Sequence, residues 1–236
     1  MGEHAIRVQG LVRTYPHGVG VHGIDLDVRY GEVHALVGLN GAGKTTLMRL
    51  LLGMLRPDAG TIAVGESWSG VGHTIDEPFG YPDLTTVANL AIAARLRGVA
   101  KSEVQEVVVA AIADLGLEAY ATRRARTLSQ GNLQRLNLAA ALQHHPRVLV
   151  LDEPTSALDP HGMILLRTEL LRRATQGAGV LVSSHHLDEI ARIADRVTVI
   201  NHGAVIGLLD PGGTNIERDF FALVLADDES RMERPS

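Results

Sequence analysis
The sequence predicts an α/β fold: a mostly parallel sheet with helices on both faces, an antiparallel β edge and a helical subdomain inserted in the core. Three observations carry this. Short apolar runs of strand length recur at residues 35–37, 148–151, 180–182 and 197–200. Helically spaced apolar segments at about 163–174 and 187–194 separate the later ones, and strands alternating with helices build parallel sheets. Between about 84 and 145 strand character gives way to Ala- and Val-rich helical segments.

Taken in order, residues 5–12 and 22–30 read as strands. In the second, Ile24, Leu26, Val28 and Tyr30 alternate with polar residues, the pattern of a half-buried antiparallel strand. Strand 35–37 runs into a glycine-rich turn and a helix to about residue 55, with Leu47, Leu50, Leu51 and Met54 at helical spacing. Pro57-Asp58-Ala59-Gly60 is a turn, 61–64 a short strand, and the Ser/Gly-rich 66–72 a loop. Helices over 88–96 and 103–115 are separated by Gly98, and another begins near Ser129. From Asp227 the tail is polar and reads as frayed. No internal repeat appears. The expected organisation is therefore one domain over 1–225, with the helical subdomain at about 84–145 inside it and a disordered tail over 226–236.

The 236 residues suffice for one large domain with a sizeable core. Aromatics make up only 3%, so that core must rest on Leu, Val, Ile and Ala. A net charge of −5 argues against nucleic acid as an obligatory partner. The absence of cysteine excludes a disulfide framework and a thiol nucleophile, and fits a reducing cytosol. The N-terminus carries no signal-like apolar core, and no apolar run is long enough to span a membrane, so any membrane role would go through a partner. The pairs His144-His145 and His185-His186 lack the i, i+4 spacing of a helical zinc site.

Gly38 to Thr45 fits G-x-x-x-x-G-K-[ST] between a strand and a helix, the context in which the pattern is a phosphate cradle. The loop Asn40, Gly41, Ala42 and Gly43 can turn its backbone N–H groups toward an anion. The helix opening at Lys44, Thr45 and Thr46 adds the positive end of its dipole. Lys44 would reach the β- and γ-phosphates and Thr45 would ligate Mg²⁺, so the expected ligands are ATP and Mg²⁺. The run 148–151 ends in Asp152 and Glu153, where parallel sheets place ligands. Asp152 would hold the metal beside Thr45, and Glu153 would accept a proton from the attacking water.

Further motifs follow in fixed order. Leu128-Ser129-Gln130-Gly131-Asn132 resembles the signature Leu-Ser-Gly-Gly-Gln of ABC ATPases. Ser156-Ala157-Leu158-Asp159 resembles their D-loop, Ser183-Ser184-His185 their switch-histidine segment, and Tyr15 occupies the aromatic position. Over roughly residues 5–225 the chain resembles the ATP-binding subunit of an ABC transporter. That resemblance implies a P-loop NTPase core. It implies that Tyr15 stacks on adenine and that His185 contacts the γ-phosphate and positions the water. It also implies a second ATPase subunit, a copy or a paralogue, joined head to tail with two ATP molecules between them. Ser129 and Gly131 of one subunit would then close over the γ-phosphate held by the other. Ser129 followed by a helix also reads as a plain N-cap, and His185 as a polar strand end. The implied location is cytoplasmic, on the inner membrane face through a separately encoded permease, which the helical block would receive.

Two departures stand out. Gln130 and Asn132 replace the usual glycine and glutamine of the signature, while Ser129 and Gly131 remain. Asp76 stands where the family has glutamine, a Mg²⁺ and water ligand that links the site to the membrane partner. A carboxylate is also a hard-cation ligand, and an acidic residue here is similar to bacitracin-type and lantibiotic-immunity exporters. A single drifted residue would read the same way. The expectation is an exporter of a peptide antibiotic or drug-like compound, with import or lipid and polysaccharide export as alternatives. A DNA-repair type ABC ATPase would need a long coiled-coil insertion and a translation-associated one a second cassette; the sequence has neither.

Overall fold
The computed structural model describes residues 3–76, 80–185 and 187–233, with the side chains of His17, Asp188 and Glu189 outside the description. Buried residues alternate with exposed ones along His4–Thr14 (β1) and Gly20–Arg29 (β2), which pair antiparallel. With Val33–Val37 as β3, the strand Ala59–Val64 (β4) pairs with the other edge of β1 and completes a three-stranded sheet. The larger sheet adds Val71–Thr74 (β5), Val148–Leu151 (β6), Gly179–Ser184 (β7), Arg196–Asn201 (β8) and Ala204–Leu209 (β9). Its order is β5-β6-β7-β3-β8-β9, parallel through β8, with β9 antiparallel to β8. This is the mixed, largely parallel architecture expected from the apolar runs.

The central strands β3, β6 and β7 are buried at every position because both faces are covered. Val33, Ala35 and Val37 of β3 join one core cluster, and Leu36 joins the other. Likewise Leu149 and Leu151 of β6 face the first, Val148 and Val150 the second. The first cluster takes in the helical block and Pro160–Thr175, the second the small sheet and Lys44–Leu51 (α1).

The helical block consists of Thr86–Leu96 (α2), Val104–Asp114 (α3) and Gln130–Leu142 (α4). Fully buried Asn89 ties the chain entering it, accepting from Tyr81 N at 2.6 Å and donating to the carbonyls of Tyr81, Leu84 and Thr85. Pro160–Thr175 (α5) is capped by Asp159, with Pro160 in the first turn where a missing N–H costs nothing. It is followed by Leu187–Ile190 (α6) and Ile216–Met232 (α7).

Several expectations change. The stretch read as loop over 66–72 contains a 3-10 turn and opens β5 at Val71. The helix expected over 187–194 is only α6, four residues long. The polar tail is helical as far as Met232. Asp227 pairs with Arg231 one turn on, and Asn201 donates to both Asp227 and Asp228, anchoring the segment to β8. Residues 77–79, which follow Asp76, and His186 lie outside the described residues.

Candidate active site
Gly43 caps α1 from the left-handed region, φ 108°, which favours glycine, and a Cβ there would sit 3.0 Å from the Gly20 carbonyl. The loop ahead of it exposes Asn40 and Gly41, buries Ala42, and folds over Lys44. Lys44 Nζ donates to the Gly38 carbonyl at 2.7 Å and that of Leu39 at 3.3 Å, with Glu153 Oε1 at 3.5 Å. Its side chain is 7% exposed, so this cation sits where water screens it least and an anion would be held most strongly. Thr45 and Thr46 are half-buried in the first turn behind it.

β6 and β7 run parallel with Leu151 opposite Val182, which delivers Asp152 and Ser183 side by side. Thr45 Oγ1 donates to Asp152 Oδ2 at 2.6 Å, and the Ser183 hydroxyl donates to Oδ1. Ser183 Oγ in turn accepts the Glu153 backbone N–H at 2.8 Å. One step further, Glu153 Oε2 lies 2.7 Å from His185 Nδ1 and accepts the His185 backbone N–H at 3.3 Å. Lys44, Thr45, Asp152, Glu153 and His185 thus form one connected group. Thr45 and Asp152 present oxygen donors of the kind Mg²⁺ takes, and no histidine shares their contact. Among the described residues no cluster of three or more His, Asp or Glu gathers as a metal centre.

The group opens into a cleft of about 740 Å³ between the sheet ends and α4, lined by Thr45, Arg49, Asp76, Gln130, Asp152 and Glu153 among others. Asp76, Glu153 and Ala157 all line it and all have positive φ, at 64°, 46° and 64°. Such backbone persists only where surroundings enforce it, and it gathers at functional sites. Asp76 hydrogen-bonds to Arg49, whose Nε donates to both carboxylate oxygens at 3.2 and 3.1 Å while Nη2 donates to Oδ1. That contact raises the Arg49 pKa above its ordinary value. Arg49 and Ser183 were not singled out by motif for these contacts. Arg49 stands four residues after Thr45, on the same helix face, and that spacing is the signal that locates it.

Ser129 is exposed and caps α4, accepting from Asn132 N at 3.3 Å. Gly131 lies against the D-loop, where a Cβ would come 2.7 Å from the Ala157 carbonyl. Gln134 donates to the Pro154 carbonyl at 3.1 Å across the same seam. Within one chain Gly131 thus lies against the D-loop. Tyr15 is half-buried, with the Arg13 guanidinium 5.2 Å over its ring. Asp58 holds this segment by accepting from Arg13 and from Thr14 N, both at 2.8 Å.

The profile of the family described as ABC transporter matches residues 21–156, more than half of the chain. The chain belongs to the ABC transporter family. Relatives include the ribose import ATP-binding protein RbsA 1 of Streptomyces avermitilis, 35% identical over 87% of this chain and 42% of that one. The bacitracin transport ATP-binding protein BcrA of Enterococcus faecalis is 36% identical over 86% of this chain and 68% of its own. The Nod factor export ATP-binding protein I of a Rhizobium species is 34% identical over 86% and 70%. The chain thus spans less than half the length of the RbsA relatives. Among solved structures, an ATP binding subunit of an ABC transporter superposes with a TM-score of 0.80 at 25% identity, covering 98% of this chain and all of the other. CbiO1 from Clostridium perfringens, part of the CbiONQ complex, gives 0.77 at 26%, covering 99% and 100%. The matched region is the ATP-binding cassette of that family, and no helix among the described residues is long and apolar enough to cross a membrane. Its relatives include both importers and exporters.

Proposed function
We propose that this ABC ATPase powers an exporter of a peptide antibiotic or other drug-like compound, working with a separately encoded permease and a second ATPase subunit. The contact of Thr45 with Asp152, with Lys44 and Glu153 beside it, carries the catalytic half of the reading. Lys44 offsets phosphate charge, and the backbone N–H groups from Asn40 to Thr46 donate to the anion. Thr45 and Asp152 would hold Mg²⁺, which neutralises charge developing on the transferred phosphoryl group. Glu153 takes the proton of the attacking water, and His185 orients Glu153 through the 2.7 Å contact.

Ser129 and Gly131 act on the nucleotide of the opposed subunit. ATP then closes the pair and hydrolysis reopens it, because the closing contacts exist only in the nucleotide-bound state. Tyr15 stacks on the base. The acidic residue at Asp76 and the similarity to BcrA favour export. The RbsA relatives favour a second reading, import. A transport assay of the ATPase reconstituted with its permease in inverted vesicles separates them by the side on which substrate accumulates.

Lys44→Ala is expected to remove nearly all ATP hydrolysis; unchanged turnover would sink the cradle assignment. Glu153→Gln is expected to keep ATP binding and to accumulate an ATP-bound dimer by size-exclusion chromatography. Turnover at the parent rate in that variant rules Glu153 out as the base.

A further inference from the structure
We infer that Arg49 is a positioning residue that holds Asp76 in a bidentate pair, so that an acidic side chain at this position acts on the nucleotide site as a neutral unit. The inference rests on the reading of the cleft as the site for Mg²⁺ and ATP, and deepens it.

The geometry is specific. Four residues along α1 is about 6 Å of helix rise, so Arg49 points into the same cleft as Thr45, one turn further out. Its Nε and Nη2 both reach the Asp76 carboxylate, and the fork geometry that fixes a carboxylate in orientation is available to arginine and not to lysine. The two side chains are 39% and 43% exposed, so the pair is neither sealed in a core nor lost to bulk water; it forms part of the cleft wall. Asp76 sits at φ 64°, a backbone that needs an external tie, and Arg49 supplies one.

Charge counting shows what the pair does. Three carboxylates, Asp76, Asp152 and Glu153, meet two cations, Lys44 and Arg49, around the cleft. ATP is itself strongly anionic. Taking away Arg49 alone would add an uncompensated carboxylate facing that anion, whereas taking away both charges would leave the balance as it is. An amide at position 76 needs no such partner. The same Arg49 with no carboxylate would become free to meet phosphate oxygens.

The test is a charge cycle on the full chain, read as affinity for a methylanthraniloyl-labelled ATP at saturating Mg²⁺. Arg49→Gln is expected to weaken binding about fivefold, the scale of a partly exposed charge pair. Asp76→Gln is expected to bind at least as tightly as the parent. The double variant Arg49→Gln/Asp76→Gln is expected to return to within about twofold of the parent, which a merely structural role for Arg49 would not produce. Arg49→Lys should fall between parent and Arg49→Gln, since it keeps charge and loses the fork; melting curves of all four variants confirm that each is folded. A double variant as weak as Arg49→Gln, or an Arg49→Gln that binds like the parent, overturns the inference. Lys44→Ala separates the two levels. If it binds the labelled ATP normally the cradle reading fails; if it loses binding while the charge cycle shows no rescue, only the role of Arg49 fails.

Discussion
Gly131 has a packing role within the chain, separate from the one the family pattern would assign it. The family pattern assigns its N–H to a phosphate held by another subunit, yet within the chain its missing Cβ lets α4 lie against the D-loop at Ala157. Gly131→Ala would bring a methyl group 2.7 Å from a backbone oxygen, and overpacking of that kind costs roughly 1–3 kcal/mol. The expected result is a lower urea midpoint with unchanged slope; a midpoint equal to the parent's means that the seam gives way freely. Lys44, Thr45, Asp152 and Glu153 were legible in the sequence because phosphate chemistry demands particular residues at particular spacings. Arg49 was not singled out, since its spacing four residues after Thr45 gives the helix face and not the partner. Its partner becomes visible only when β5 and α1 are brought together.

At the scale of elements, the strands buried on both faces were plain in the sequence, and the edge strands of the larger sheet, β5 and β9, were not. β5, Val71-Gly72-His73-Thr74, offers a single large apolar residue in four, and it is a strand because β6 presents an open parallel edge to it. α7 buries only Ile216, Phe220 and Val224 of its seventeen residues, a stripe too narrow to stand out among acidic neighbours. Helix starts, by contrast, are local chemistry. Thr85 caps α2 by accepting from Ala88 N, as Ser129 caps α4. Thr85→Ala and Ser129→Ala should each cost about 1 kcal/mol in thermal or urea unfolding. If Ser129 also closes over nucleotide in an opposed subunit, only Ser129→Ala weakens the ATP-dependent dimer trapped by Glu153→Gln. Equal dimer formation in both backgrounds reduces Ser129 to a cap.

Across the whole molecule, the junction between helical block and sheet edge sets a pH limit. His73, on β5, and His144, at the end of α4, are both largely buried there, and burial pushes the pKa of each down to about 4, with the Arg97 charge adding to it. Their ordinary value is 6.5, so between pH 6.5 and 4 the unfolded chain binds protons that the folded chain excludes. Stability present above pH 6.5 is therefore lost as pH falls through that window. For the two together the loss from pH 7 to pH 5 is on the order of 3 kcal/mol. Carboxylates enter at a lower pH. Asp27, held low chiefly by its hydrogen bond from Arg196, loses its contribution as pH falls below the ordinary value of 3.8. Urea unfolding at pH 7 and pH 5 thus isolates the histidines. The expected result is a clearly lower midpoint at pH 5, with the difference shrinking in His73→Gln. Equal midpoints at the two pH values would mean that the junction opens enough to hydrate both rings, and that the helical block is less tightly joined to the sheet than its packing indicates.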